Sequence, residues 1–448
     1  MAAQNETILA LSTPPGRGAL AVVRVSGPLA HDSLVLLTSG QSLPAPRQAV
    51  LRKISFNDKP IDEALVLTFA APASFTGENI VEYHLHGGWS VIQSLLHSLL
   101  QQKNHRMALP GEFTRRAFEH GKLDLTEAEA VADLIDAETE AQRLQALSQL
   151  SGSLETLYEG WKTRLARILA LMEADLDFSD QDLPDDILIK VRPDISDLLQ
   201  QIAAHMDDNR RGERLRNGFH VALLGAPNAG KSSLLNALSQ REAAIVSPLA
   251  GTTRDVIETH LDLGGFPVIM ADTAGLRQGG MPEDDHGKIE AEGIRRSLAR
   301  AEAADLRILL FDAGQRPDEE TLSLIDGSSI VVINKIDLAD DIASDYLPQD
   351  VVRISTLNGA GIDILLQKIV QHLSALIGNR TTPSLTRTRH REALKKAHEA
   401  LVNSEFAPLP ELAAEDYRMA IRHLGSITGR VDVEDLLDMI FRDFCIGK

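Results

Sequence analysis

Residues 225–232 read Gly-Ala-Pro-Asn-Ala-Gly-Lys-Ser, which has the spacing Gly-x-x-x-x-Gly-Lys-Ser. A loop of this kind bares backbone N–H groups, and a helix starting at its end adds more, so the two can cradle phosphate oxygens. Lys231 is spaced to reach the β- and γ-phosphates of a nucleotide, and the Ser232 hydroxyl to hold Mg2+. The cradle set is Asn228, Ala229, Gly230, Lys231, Ser232 and Ser233. Further on, the quartet Asp272-Thr273-Ala274-Gly275 follows an apolar run. Asp272 suits a water-mediated contact to Mg2+, and the Gly275 N–H a contact to a γ-phosphate. Third in order comes Asn334-Lys335-Ile336-Asp337. A carboxylate at Asp337 can accept both N1–H and the 2-amino group of guanine, which adenine does not offer. A site built on such polar pairing rejects the analogue that lacks it. Ser355-Thr356-Leu357 can back the base with an N–H. The chemistry these residues point to is the binding of GTP with Mg2+.

Each motif needs a strand to deliver it. Phe219–Leu224, Pro267–Met270, Ser329–Ile333 and Val351–Ile354 are apolar runs that end where the four motifs begin. Ser233–Leu238 reads as the helix start after the phosphate loop, so the context is strand–loop–helix. This alternation spans about residues 217–378 and predicts an α/β P-loop GTPase domain.

The rest of the chain has a different texture. Residues 1–120 alternate β-like runs (7–11, 20–25, 64–69 and 80–85) with turns, and a helix pattern falls near 90–102, which predicts an α+β domain. Near Lys122 helical patterning takes over; Thr126 and Glu129 have capping-box spacing. A stripe of Leu154, Leu157, Trp161, Leu165, Ile168, Leu169 and Met172 predicts bundle core. A third helix pattern spans about 187–212. After Thr381-Thr382-Pro383 helix returns over 388–444, with Gly425 and Gly429 as breaks. The expected division is 1–120, 121–216, 217–378 and 379–448, a helical domain made discontinuous by an inserted nucleotide domain.

Composition bounds the function. The 448 residues carry a net charge of −19, which argues against broad electrostatic binding to nucleic acid by this chain alone. If RNA is the substrate, a local basic patch or a partner must supply the cations. The segment Arg387-Thr388-Arg389-His390-Arg391 with Lys395-Lys396 reads either as a solvated helix face or as such a contact. One cysteine, Cys445, excludes an internal disulfide, and no basic-apolar leader or long apolar run is present, so the expectation is a soluble, cytoplasmic protein. Cys445 itself reads as inert or as a nucleophile. The acidic stretch Asp175–Asp186 reads as a solvated connection or as a metal site.

Several motifs together carry a resemblance. They are Pro14-Pro15-Gly16-Arg17-Gly18, Phe75-Thr76-Gly77-Glu78, Pro110-Gly111-Glu112-Phe113, Lys122-Leu123-Asp124-Leu125, the nucleotide motifs, Gly251-Thr252-Thr253-Arg254-Asp255 and the terminal Phe444-Cys445-Ile446-Gly447-Lys448. With these the chain resembles, from end to end, the MnmE (TrmE) family of tRNA-modifying GTPases.

The resemblance implies a folate-binding N-terminal domain, a discontinuous helical domain and an inserted GTPase domain. It implies a homodimer that works with the flavoprotein MnmG (GidA). Together they would place a carboxymethylaminomethyl-type group at C5 of the wobble uridine of tRNA, drawing on a tetrahydrofolate one-carbon unit, in a 5-formyl or methylene form. The folate-contacting positions carry over as Arg24, Glu82, Lys122 and Lys448. Leu276 stands where many GTPases have a water-orienting glutamine. The resemblance implies K+ at the phosphates instead, held by Asn228, Ser247, the Leu249 carbonyl and Thr252, with Thr253 joining Ser232 on Mg2+. Glu290 is the implied catalytic, water-orienting residue. Because the segment 279–285 lengthens the loop before it, Glu292 and Glu283 are rivals. Two other classes stay open: a regulatory GTPase of ribosome assembly or signalling, which would bind no folate, and a folate-dependent one-carbon transferase needing no flavoprotein.

Overall fold

The computed structural model describes residues 6–177, 187–241, 258–272, 304–338, 342–378, 383–431, 434–442, 444, 445 and 447. The chain divides into two compact units, one of residues 1–132, 149–178 and 408–448, the other of 133–148 and 179–407.

The first unit is built on a six-stranded sheet in the order β3-β4-β5-β2-β1-β6, from β1 (Thr7–Leu11), β2 (Leu20–Ser26), β3 (Val50–Phe56), β4 (Lys59–Phe69), β5 (Ile80–His86) and β6 (His105–Met107). All pairings are antiparallel except β1 with β6. Strand periodicity sends alternate side chains to opposite faces. Val81, Tyr83 and Leu85 of β5 are buried, as are Val23 and Val25 of β2, in the core that α1 (Ala30–Leu37) and α2 (Trp89–Leu100) complete. Glu82 and His84 take the opposite face. There Phe113 of α3 (Glu112–Glu119) closes a small core with Ile8, Ala10 and Ala108.

Helices follow: α4 (Leu125–Asp136), α5 (Glu140–Leu150) and α6 (Ser153–Asp177). The capping box on α4 is two residues earlier than the sequence suggests. Asp124 Oδ1 accepts from Glu127 N–H at 2.7 Å, and Glu127 Oε2 accepts from Asp124 N–H at 2.9 Å. Thr126 lies inside the first turn and donates its hydroxyl to Asp124. The first turn of α4 thus satisfies one of its orphan N–H groups reciprocally.

The second unit takes the end of α4 and most of α5, then α7 (Ile187–Met206) and α8 (Arg211–Asn217), where the sequence predicts one helix. The break falls at Asn209 and Arg210, both at φ 53°. Next comes a sheet in the order β12-β11-β10-β7-β9-β8, from β7 (Phe219–Leu224), β8 (Glu258–Leu263), β9 (Phe266–Asp272), β10 (Leu306–Asp312), β11 (Ser329–Asn334) and β12 (Val352–Arg353). Only β8 runs antiparallel. The central strands are buried on both faces and so read as continuous apolar runs. Val221 and Leu223 join one core, Ala222 and Leu224 the other. Among the helices here are α9 (Lys231–Arg241), the single turn α10 (Glu319–Leu322), α11 (Ile362–Ile377) and α12 (Thr388–Glu405), which packs on α7.

The chain returns to the first unit with α13 (Pro410–Thr428), packed on α6, and α14 (Glu434–Arg442). Gly425 does not interrupt α13: it is buried inside the helix, where a Cβ would press on Val431 at 2.9 Å. The break between helices is at 406–409, before Pro410, and Gly429 ends α13 in the left-handed conformation. Leu437, Phe441 and Phe444 pack on Leu125 and Ala128.

Candidate functional site

In the second unit the C-terminal ends of β7 and β11 lie on either side of β10, and the motifs follow those ends. Ligands of open α/β sheets bind at such strand ends. The phosphate loop runs from Gly225 to Gly230 between β7 and α9. Gly230 has φ 103°, and a Cβ there would collide with the Asn334 side-chain amide, so only glycine lets the loop and β11 approach this closely. Asn334 is fully buried. Its Nδ2 donates to Ala229 O at 2.9 Å, and its Oδ1 accepts from Thr356 N–H at 3.2 Å. One side chain therefore ties the phosphate loop to the Ser355–Leu357 loop. Buried Ser355 receives Asn358 N–H on its hydroxyl at 3.3 Å.

The Lys231 ammonium donates to Gly225 O at 2.6 Å and Ala226 O at 2.9 Å, which holds a cation over the loop. Ser232 and Ser233 are exposed in the first turn of α9, whose leading N–H groups have no intrahelical acceptor by geometry. Asn228 is exposed at φ 66°. Lys335 pairs with Asp312 at 2.7 Å, fixing the turn after β11. Asp337 is exposed and makes no hydrogen bond or ion pair among the described residues, so its carboxylate is available as an acceptor. The donors of the cradle, a resident ammonium and an uncommitted carboxylate suit a guanine nucleotide, and the Ser232 hydroxyl suits Mg2+ beside it. Asp272 ends β9. Ser247, Leu249, Thr252, Thr253, Thr273, Ala274, Gly275, Leu276, Glu283, Glu290 and Glu292 lie outside the described residues.

The first unit holds a second cluster. Arg24 and Glu82 are cross-strand partners of β2 and β5. Arg24 Nε donates to Glu82 Oε1 at 3.0 Å, and Nη2 lies at 2.9 Å from the same oxygen. The guanidinium sits 5.7 Å from the centroids of both Phe75 and Phe113. Such cation–ring contacts are stabilising by about 0.5–2 kcal/mol each. His84, two residues along the same face, has its Nε2 3.6 Å from Glu82 Oε2; that buried ring nitrogen makes no hydrogen bond among the described residues. Sequence reasoning missed His84, although its i+2 spacing from Glu82 was a signal. The Arg24–Glu82 pair, its aromatic flanks and the unsatisfied His84 nitrogen fit a planar ligand with donor and acceptor edges. Lys122 is exposed beyond α3 with no side-chain partner among the described residues. Lys448 lies outside the described residues. The segment before it folds onto this unit: Ser12 Oγ donates to Gly447 O at 3.1 Å, and Gly111 N–H to Cys445 O at 3.3 Å. Gly447 has φ 102°, and a Cβ there would collide with Leu11 O. Cys445 is exposed.

Two cations of the basic segment are committed internally. Arg391 pairs with Asp208 at 2.7 Å and Glu213 at 2.9 Å, and Arg387 with Asp133 at 2.7 Å.

Comparison with known proteins bears on both clusters. The model "GTP-binding protein TrmE N-terminus" matches residues 7–122, and the model "MnmE helical domain" matches 125–445. The "tRNA modification GTPase MnmE" of Parvibaculum lavamentivorans is 53% identical over 99% of this chain and 100% of its own length. That of Paramagnetospirillum magneticum is 50% identical over the same shares. Among solved structures, a point variant of Aquifex aeolicus Era bound to GDP.AlF4- is 28% identical over 43% of this chain and 69% of its own, with a TM-score of 0.27.

Proposed function

Given that the chain belongs to the MnmE family of tRNA modification GTPases, and is thus a GTP-hydrolysing enzyme of tRNA modification, we propose that it spends GTP to install a carboxymethylaminomethyl-type group at C5 of the wobble uridine, position 34. The flavoprotein MnmG (GidA) is its partner, and a tetrahydrofolate derivative supplies the one-carbon unit. The division of labour is a folate-binding domain over 1–120, a GTPase domain over 217–378, and a helical domain of 121–216 with 379–448. The protein works in the cytoplasm.

The observation that carries the folate assignment is the Arg24–Glu82 pair between two aromatic rings. Arg24 supplies positive charge for a folate carboxylate or its polar edge. Glu82 accepts from a pterin's donor edge, and the rings of Phe75 and Phe113 border the space. Lys122 and the terminal Lys448 add cations. Tetrahydrofolate would bring the activated carbon; the residues bind and orient it.

At the nucleotide cradle, Lys231 and the N–H groups of the loop and helix start hold the phosphates. Asp337 selects guanine against adenine, and Asn334 keeps its turn in register with the phosphate loop. Ser232 with Thr253 hold Mg2+. Asn228, Ser247, Leu249 and Thr252 hold K+, which supplies the positive charge that an arginine finger gives other GTPases. Glu290 orients the attacking water.

Homodimer formation is favoured by the exposed β3–β4 side of the sheet face that carries Glu82 and His84. The cross-strand row Leu51, Leu65, His84 and Val22 runs over it, with Leu51 58% and Leu65 40% exposed. An apolar row of this kind is costly to leave in water.

Reconstitution by omission tests the reading. Unmodified tRNA, the flavoprotein, GTP, glycine as the amine that carries the carboxymethyl carbons, and methylenetetrahydrofolate labelled with carbon-13 at the one-carbon unit are incubated with the chain. Label is expected in the C5 substituent of the wobble uridine, and only when every component is present. A C5 group formed without label would remove folate from the account.

A further inference from the structure

We propose that Arg116 is a positioning residue for the Arg24 ligand face: it locks the Phe75 loop and the Phe113 helix into the two walls that hold the Arg24 guanidinium. The inference rests on the folate reading above and deepens it.

The two walls come from separate segments. Phe75 lies on the loop between β4 and β5, Phe113 in the first turn of α3. Arg116, 5% exposed, joins them. Its Nη1 donates to Glu78 on the Phe75 loop at 2.9 and 3.1 Å, and to Glu6 O at 3.0 Å. Its Nη2 donates to Glu112, beside Phe113, at 3.2 Å. Each carboxylate is held a second time. Ser26 Oγ donates to Glu78 at 2.8 Å, and Ser26 stands two residues past Arg24 on β2. Arg106 takes Glu112 in a two-pronged grip at 2.8 and 2.6 Å. A bidentate guanidinium fixes direction as well as distance. Arg116 touches no ligand position itself. Its effect on binding must pass through the ring separation around Arg24.

The test is binding of 5-formyltetrahydrofolate to the full chain, by titration, well below the melting temperature. Arg116→Met is compared with Arg116→Lys, Glu78→Gln and Phe75→Leu, alone and in the double Arg116→Met/Phe75→Leu. Arg116→Met is expected to raise the Kd by about tenfold, and Glu78→Gln by less, since Ser26 still holds the loop. Arg116→Lys, which keeps the charge but not the fork, should rescue only partly. With Phe75→Leu in place, Arg116→Met should cost little more, because a coupled pair is not additive. A purely structural arginine would lower the melting temperature and leave the Kd, and its additivity with Phe75→Leu, untouched; that result overturns the proposal. Where Arg116→Met fails to fold, Glu78→Gln with its Phe75→Leu double carries the same comparison. If the parent chain binds no folate, the folate reading and this inference fall together. If the parent binds and all variants match it, the inference alone falls. GTP hydrolysis, read in parallel, should stay at the parent rate.

Discussion

Asp337 and Asp124 show how differently two carboxylates are used. Asp337 is exposed and has no hydrogen bond or ion pair among the described residues, in the turn after the buried Asn334, so its carboxylate is available as an acceptor. Asp337→Asn should weaken GTP by roughly 1–3 kcal/mol or more while leaving the phosphate contacts, because it removes a charged acceptor pair. A nucleotide titration with unchanged GTP affinity would show the base site to be misassigned. Asp124 is turned inward as the α4 cap. Burial pushes its carboxyl up to about 6, against the Glu127 N–H and Thr126 hydroxyl that favour the charged form; the Glu127 and Glu155 charges add to the rise. Its folded pKa lies above the unfolded value near 4, so between about pH 4 and pH 6 the folded chain keeps a proton the unfolded chain has lost. Stability from this group therefore falls as pH rises through that window. In the other unit His205 acts in the opposite sense. Burial takes its imidazole down to about 4, so its contribution falls as pH drops below 6.5. The sensible measurement is the difference in unfolding free energy between parent and Asp124→Asn from about pH 4 to 7. That difference should slope; a flat difference would mean Asp124 titrates normally.

Elements were legible where the apolar pattern was strong. The run Phe219–Leu224 is β7, and the runs at 7–11 and 80–85 fall within β1 and β5. Chemistry at their ends was legible for the same reason: a buried strand followed by glycine and lysine has few other uses. Four strands escaped notice: the edge strands β3, β6 and β8, of which Val50–Phe56 mixes polar and apolar residues, and the central β10, an apolar run with no nucleotide motif at its end to draw attention to it. The Asn57-Asp58 pair, at φ 50° and 61°, was the available hairpin signal. Capping boxes were ambiguous because Asp124/Glu127 and Thr126/Glu129 share one spacing, and only backbone geometry separates them. The pairing of Arg387 and Arg391 was not legible in the basic segment, since their acidic partners are far away in sequence. What no local pattern could give is the return of the C-terminal segment to the end of β1 through Gly447. Removing residues 445–448 should therefore cost tRNA modification and spare basal GTP hydrolysis, whose residues lie in the other unit. Loss of GTP turnover in a truncated chain with an intact fold would contradict that assignment.

At the scale of the whole molecule, the account joins two chemistries that the chain keeps in separate units. In the proposed reading Asp337 is the guanine acceptor of the nucleotide unit, and in the sequence Leu276 stands where many GTPases have a water-orienting glutamine. With K+ supplying positive charge at the phosphates as proposed, GTP turnover should be much faster in K+ than in Na+ at equal ionic strength. Equal rates in the two salts would exclude the alkali-cation site. On the proposed reading the Arg24–Glu82 cluster serves a nucleic acid that a chain of net charge −19 attracts poorly by itself, which is why a partner is proposed. The most direct measurement is nucleoside mass analysis of tRNA from cells lacking this gene, set beside the same cells with the gene restored. The account predicts that the C5 group of wobble uridine disappears in the first and returns in the second. An unchanged set of modified uridines in the cells without the gene would contradict it.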